Sequence, residues 1–517
     1  MRRSFTLILL FLPFALYLSA QSPLRLMVVG DPHVLDTSLY DNGSAFTSAA
    51  AGSPRVLAHS AELFDSAMTI VARRQPAVLI LVGDMANDGE QASHQHIVSR
   101  LAALQQQGIQ PIVIPGNNDI NNRNAKRYHG STTSAAPAIS ATEYEAMYGP
   151  FGLNQAVSRE TDGLSYMVYV NSNLALLCLN SAKANTSAVQ YHAGGLTEQT
   201  LQWAEQATSQ ARLSGHHVLG MLHHQALEHF NLAEDLVPSY IANTESEYPS
   251  LASMQDRLVA AGVNVVLTGH FHIHSIKYAE TTNGDTLYDV STASLSGYPS
   301  PIRTLSYTPD GQLAISTETI DTYHTLEREQ NGVTAAGAIG TMANQFYPKI
   351  DSVKSKLPAM VVLMLNLPTS AQQMKSDMCT YMLAPMTELV NSLSAGDEHL
   401  DNPEAKLEAC MDGFDAYINY ICNGNTIAKA AVKTLVAAPK LLMRNIFRSV
   451  FYNFVGSDST QIVLDNANTL RLVPLERTGL DELSGDDAAA QKIWRDGVLY
   501  IRREGKLYTL TGMEVLE

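Results

Sequence analysis

QPIVIPGNND, residues 110 to 119, decides how the rest of the chain is read. An apolar run breaks at Pro115-Gly116 and delivers two amides and a carboxylate, Asn117, Asn118 and Asp119, to its end. Short apolar runs bounded by Gly or Pro read as strands buried on both faces. Polar groups just past such strands lie where open α/β sheets build their sites. Two earlier runs end the same way. RLMVVGDPH (25–33) closes on Asp31 and His33, and AVLILVGDMANDG (77–89) on Gly83 and Asp84. An i, i+2 spacing aims Asp31 and His33 to one side, so a carboxylate and an imidazole can share a cation. Gly83 lets the chain turn so that Asp84 can bridge two ions.

Four more runs follow: LALLCLN (174–180), HHVLGMLHH (216–224), VNVVLTGHFH (263–272) and LYDVSTAS (287–294). The second ends in His223-His224 and the third in His270 and His272, again at i, i+2. Period-3.6 patterns near 55–74, 90–107, 197–213 and 249–261 predict helices between the strands. The reading is a layered α/β domain whose helices cover strands buried on both faces. IRTLSYTPDGQLAISTETI (302–320), with its Pro-Asp-Gly turn, closes that domain as a hairpin. Beyond residue 325 long helical segments are predicted through 335–395 and 403–455, and GVLYIRREGKLYTLTGMEV (497–515) alternates like a hairpin around Glu504-Gly505. Of 16 histidines only His399 falls in this second part, so imidazole chemistry belongs to the first.

At 517 residues two domains are the expectation. The formal charge of -16, from 34 Lys plus Arg against 50 Asp plus Glu, repels polyanions and makes duplex nucleic acid and anionic membrane poor partners. MRRSFTLILLFLPFALYLSAQ, with Arg2 and Arg3 before an apolar core and Ser19-Ala20 at its end, reads as a signal peptide over residues 1–20. The expectation is an exported chain, periplasmic or secreted, with no stable membrane insertion. Of four cysteines, Cys178 sits inside an apolar run, and a disulfide is expected among Cys379, Cys410 and Cys422.

A single Asp-x-His or strand-end His is more often structural than ligating, and His216-His217 shows how cheaply such patterns arise. Five motifs at five strand ends are another matter. They supply two Asp, one Asn and four His, enough for two ions with open positions. In these motifs (D-x-H, G-D-x-x-x-D-G, G-N-x-D, H and G-H-x-H) residues 24 to 320 resemble the calcineurin-like metallophosphoesterase superfamily. LYDNGSAF (39–46), AGGLTEQTLQW (193–203) and LHHQALEH (222–229) add a closer likeness to bacterial cyclic-nucleotide phosphodiesterases with a helical C-terminal domain.

The resemblance implies an α/β four-layer sandwich, two β-sheets flanked by helices, over residues 21–325, and a mainly helical domain over 326–517 ending in a β-hairpin. It implies two divalent or trivalent ions, Mn, Fe or Zn. Asp31, His33 and His272 hold one, Asn117, His223 and His270 the other, and Asp84 bridges. His224, His229 and His274 are read as surface or supporting groups. The implied reaction is attack of a metal-bridging hydroxide on a small phosphodiester, a cyclic nucleotide by the closer likeness. The family's His, which protonates the leaving oxygen, is Asn118 here, beside Asp119. An amide cannot titrate near neutral pH, so activity is expected to survive but to favour good leaving groups. The alternatives are a phosphomonoesterase, a sphingomyelinase-like hydrolase on the same fold, and a catalytically impaired metal-binding exported protein.

TLVAAPKLLMRNIFRSVFYNFVG (434–456) could lie on a membrane surface, but helix packing against the first domain is favoured.

Overall fold

The computed structural model describes residues 23–185, 189–229, 241–354, 359–395, 403–425 and 469–472, together with strand segments 491–495, 498–503, 506–508 and 514–515. The expected leader at residues 1–20, His399 and the 434–456 stretch lie outside the described residues.

Two sheets stack face to face. The first, of six strands, has three parallel on one side, with the last of them at the edge: β1 (Leu24–Val29), β2 (Val78–Leu81) and β3 (Gln110–Val113). The second has seven. Its outer strands are β6 (Ser158–Arg159) and β7 (Tyr166–Tyr169) on one side, with β11 (Ser275–Glu280) on the other. Between them run β8 (Leu174–Leu179), β9 (His217–Leu222), β10 (Val265–Thr268) and β12 (Thr286–Ser291), parallel to one another. A separate hairpin, β4 (Lys126–His129) with β5 (Thr132–Ala135), lies outside both.

Side-chain alternation explains the stacking. Leu26, Val28, Ile80 and Ile112 face inward and meet Leu174, Leu176, Leu219, Met221, Val265 and Leu267 in one buried cluster between the sheets. Their neighbours Met27, Val29, Leu79, Leu81 and Val113 face outward and bury Phe64, Ala67 and Val71 of one helix (Ser60–Arg74) and Ile97 and Leu101 of another (Gln91–Gln106). On the far side Ala175, Leu177, Val218 and Val266 cover Leu201, Ala204 and Ala211 of the helix Glu198–Leu213, and Met254 and Leu258 of the helix Leu251–Ala261. The order is helix, sheet, sheet, helix, as the sequence implied. Each strand stops earlier than its apolar run suggests: β3 ends at Val113 and β10 at Thr268, so the polar residues occupy loops.

The 302–320 hairpin forms as β13 (Pro301–Tyr307) and β14 (Gln312–Thr319), with β13 antiparallel to β1. The other edge of the six-stranded sheet is β15 (Thr469–Arg471), which pairs with β14 through Leu313 and Leu470. The first sheet therefore takes its last strand from beyond the helical segment.

That segment has its own core. Helix His324–Lys354 packs on helix Ala371–Ala395, whose Met374, Met378, Met382 and Met386 recur every four residues on one buried face. Helix Pro403–Ile421 adds Phe414, Tyr417 and Ile418. Among the described residues the expected disulfide does not form: no two of Cys379, Cys410 and Cys422 are joined. Cys410 and Cys422 are buried among these apolar side chains, and burial raises the Cys410 thiol to about 12. Near the C-terminus four short antiparallel strands pair, with Arg503 opposite Lys506 across the expected turn. Among the described residues, no helix is long and apolar enough to cross a membrane.

Candidate metal centre

Because β1, β2, β3, β9 and β10 all run the same way within their sheets, the loops after them gather at one edge of the sandwich. Backbone bonds lock these loops to one another. His33 N–H donates to Asp84 O and Val34 N–H to Met85 O, pairing the first loop with the second. Gly269 N–H donates to His223 O. The approach is close enough to require glycine twice. At Gly116 a Cβ would run into the Asp84 carboxylate and amide, and at Gly83 (φ +97°) it would come within 2.6 Å of His223 Nδ1.

The loops bring all seven expected ligands together. Asp31, His33 and His272 place one donor atom each within 4.8 Å of one another, and so do Asp84, His223 and His270. His33 Nε2 lies 3.0 Å from His272 Nε2 and 3.6 Å from Asp84 Oδ2. His223 Nε2 lies 3.5 Å from Asp84 Oδ1, 3.1 Å from Asn117 Oδ1 and 3.0 Å from His270 Nδ1. Asp84 thus reaches both groups, one oxygen to each.

The donor chemistry fits two cations. His223 Nδ1–H donates to Val82 O at 2.8 Å, which leaves Nε2 as a lone pair aimed at carboxylate and amide oxygens. With that ring neutral, acceptor atoms converge there, and such a cluster needs a shared positive charge, either a proton or a cation. Burial pulls His33 and His270 well below the ordinary imidazole value and His272 down to about 3, which keeps them in the neutral, ligating form. Burial also lowers His223, but the Asp84 and Asp31 carboxylates override it and push that imidazole up to about 9. The field that holds a proton on His223 is one that favours a dication.

The ligand backbones are unusual. Asp31 (φ 42°), His33 (44°), Asp84 (46°), His270 (68°) and His272 (57°) all lie in the left-handed region that L-residues disfavour.

Asn118 is pinned. Its backbone N–H donates to Asp84 Oδ1 at 2.8 Å and its Nδ2 to Asp84 Oδ2 at 2.7 Å, while its Oδ1 accepts from Gln190 Nε2 at 3.0 Å. Asp119 does not face Asn118's side chain. Its carboxylate accepts from the backbone N–H of Met85, Ala86 and Gly116 and ties the Asp84 loop to the Asn117 loop. Burial and the Asp84 charge push its carboxyl up to about 7, opposed by those N–H bonds.

Of the other histidines, His224 has partners on both ring nitrogens: Ser181 Oγ at 2.9 Å and His192 O at 2.9 Å. His216 stacks on Tyr169 and bonds Asn171 O, away from the site. His274 bonds Thr317 Oγ1, and His229 sits 3.4 Å from Asp289.

Three site groups carried no signal in the sequence. Asn185 Nδ2 holds the carbonyls of Asn117 and Ile120. His192 Nδ1 accepts from Asn117 Nδ2 at 3.4 Å, at the exposed rim. Arg55, in the loop before the Ser60–Arg74 helix, reaches His33 Nδ1 at 2.6 Å. Nothing local in the sequence marks them, because each acts on a ligand loop at least 22 residues away.

The model of the calcineurin-like phosphoesterase family matches residues 24–274. No curated protein matches the chain. Among solved structures the chain is similar to a dimetal phosphatase from Danio rerio, at 14% identity over 58% of this chain and 97% of that one, with a TM-score of 0.39. It is also similar to GAP50, the anchor in the inner membrane complex of Plasmodium, at 9% identity over 58% of this chain and 85% of that one, with a TM-score of 0.31.

Proposed function

We propose that this chain, whose residues 24–274 match the model of the calcineurin-like phosphoesterase family, is a metal-dependent phosphoester hydrolase that acts on small phosphodiesters with good leaving groups, and that it does so after export. The observation that carries the reading is the pair of donor groups, Asp31–His33–His272 and Asp84–His223–His270, joined through Asp84. When bound, two ions supply positive charge against phosphoryl oxygens and lower the pKa of water toward neutrality.

The chain's own residues do the rest. Asp84 turns one oxygen toward each donor group and would hold both ions, and Asn118 fixes Asp84 by donating to both of its oxygens. Asp119 braces the two loops from behind. Asn118 then serves as a positioning residue and carries no transferable proton. An ester whose leaving oxygen departs as a stable anion needs no such proton, which supports a preference for activated diesters. Cyclic nucleotides are the natural class suggested by the sequence likeness. Export rests on the leader at residues 1–20, and the division at residue 325 on the separate helical core.

The test is turnover of bis-p-nitrophenyl phosphate, p-nitrophenyl phosphate and cyclic AMP by the Mn²⁺-supplemented full chain, with Asp84→Ala as control. Diester cleavage that Asp84→Ala abolishes, together with loss of most bound metal, supports the proposal. Faster cleavage of the monoester would favour a phosphomonoesterase. Two bound metals with no turnover of any substrate would favour a metal-binding role.

A further inference from the structure

Arg55 presents a conflict that metal binding must resolve. Its Nη1 lies 2.6 Å from His33 Nδ1, a contact in which the guanidinium can only donate and the imidazole nitrogen must accept. His33 Nε2 is the nitrogen that faces His272 and Asp84. Once Nε2 gives its lone pair to a cation, the neutral ring carries its proton on Nδ1. Nδ1 and Arg55 are then both donors at hydrogen-bond distance. Arg55 must leave His33 when the first cation position fills, and the added positive charge pushes it the same way.

Where it goes is constrained by what surrounds it. Among the described residues Arg55 makes no carboxylate ion pair within 4.0 Å, although Asp88 and Glu90 both feel its charge. Burial raises those two carboxyls to about 6 and about 7, so they make weak standing counter-ions. The backbone at Arg55 is fixed from both sides: its N–H donates to Ser53 Oγ and its carbonyl accepts from Leu57 N–H, while Val56 N–H donates to Ser296 O. Only the flexible side chain can move, from a fixed root.

We infer that Arg55 is the phosphoryl-binding arm of this site. Resting on the phosphoesterase reading above, it leaves His33 Nδ1 as metal binds and offers its N–H fork to the non-bridging oxygens of the phosphoryl group. A planar fork suits two such oxygens better than an ammonium does. The arm adds positive charge beside the ions in a chain of formal charge -16 and gives an anionic ester one more reason to enter.

The experiment uses the full chain, its Arg55→Gln and Arg55→Lys variants, Mn²⁺ and inorganic phosphate, with both affinities measured by isothermal titration calorimetry. The expected result has two opposite signs. Phosphate binding to the Mn²⁺-loaded Arg55→Gln variant weakens by about 10- to 100-fold, the size of a charge-assisted hydrogen bond, and Arg55→Lys loses less. Mn²⁺ binding stays equal or tightens, because a competing donor and a positive charge have gone. Unchanged phosphate affinity would overturn the inference and leave Arg55 paired with Asp88 or Glu90. Weaker Mn²⁺ binding in Arg55→Gln would overturn it too, by making Arg55 a support for His33. Failure of the phosphoesterase reading shows differently: the natural chain would then turn over no ester with Mn²⁺ bound, whatever the two affinities do, and absence of Mn²⁺ binding would overturn both proposals.

Discussion

Glu327 lies in the first turn of helix His324–Lys354 and is fully buried against the loop that carries Ser300. Its Oε1 lies 2.6 Å from Ser300 Oγ, and Ser300 Oγ is also 2.7 Å from Leu295 O. One hydroxyl proton cannot serve both acceptors. If Glu327 is protonated, its O–H donates to Ser300 and Ser300 donates to Leu295, and the chain of bonds is complete. Burial raises the Glu327 carboxyl from 4.5 to about 8, and the charge of Asp321 adds to the rise against the opposing Ser300 bond. The folded chain therefore keeps a proton that the unfolded chain releases above about pH 4.5. The contribution is complete below that pH and is lost as pH rises to about 8. At about 1.4 kcal/mol per pH unit, a window of about three and a half units bounds the effect at about 5 kcal/mol. Relaxation around the ionised group brings the expected value to about 2 kcal/mol or more. Glu327→Gln keeps a donor toward Ser300 and removes the titration. Urea unfolding followed by far-UV circular dichroism, at about pH 5 and about pH 9, should show the natural protein losing this amount relative to the variant as pH rises. A difference between the two proteins that stays constant within about 0.5 kcal/mol across that range would refute the protonated chain of bonds.

Asn118→His should raise turnover of alkyl diesters far more than of aryl diesters at unchanged metal content, because it restores a titratable group beside the leaving oxygen; equal gains on both, measured by steady-state kinetics, would place the proton source elsewhere, with rim-exposed His192 next to test. Asp119→Asn turns an amide nitrogen toward at least one backbone N–H and should destabilise the chain by about 1–3 kcal/mol in urea unfolding while weakening metal retention on dialysis. Stability lost with metal fully retained would show that the Asp119 brace does not position the ligand loops.

The layered fold was legible because its strands are buried on both faces. LRLMVV and LALLCL read as continuous apolar runs, and the residues past their ends were visible as a polar break. The seven candidate ligands stood out for the same reason, each sitting within four residues of a strand end. What stayed hidden depends on contacts across long stretches of chain. Arg55 touches His33 and Gln190 touches Asn118 through loops with no period of their own. β15 is three residues of ordinary polarity whose role exists only beside β14. The bracing contacts of Asp119 were hidden because its neighbour in sequence, Asn118, is not its partner in space: its three donors come from Met85, Ala86 and Gly116. The disulfide was expected from compartment and spacing, but buried apolar packing took the thiols of Cys410 and Cys422.

The left-handed backbone at Asp31, His33, Asp84, His270 and His272 has a consequence for anyone who would engineer this protein. Each such position costs on the order of 1 kcal/mol or more, which glycine would largely relieve. A campaign selecting only for heat resistance would be drawn to these five residues first and would erase the site one ligand at a time. Selection for thermal tolerance and selection for turnover pull in opposite directions at the same few codons. A library that spares them and draws its gains from the solvent-facing helices would escape that conflict.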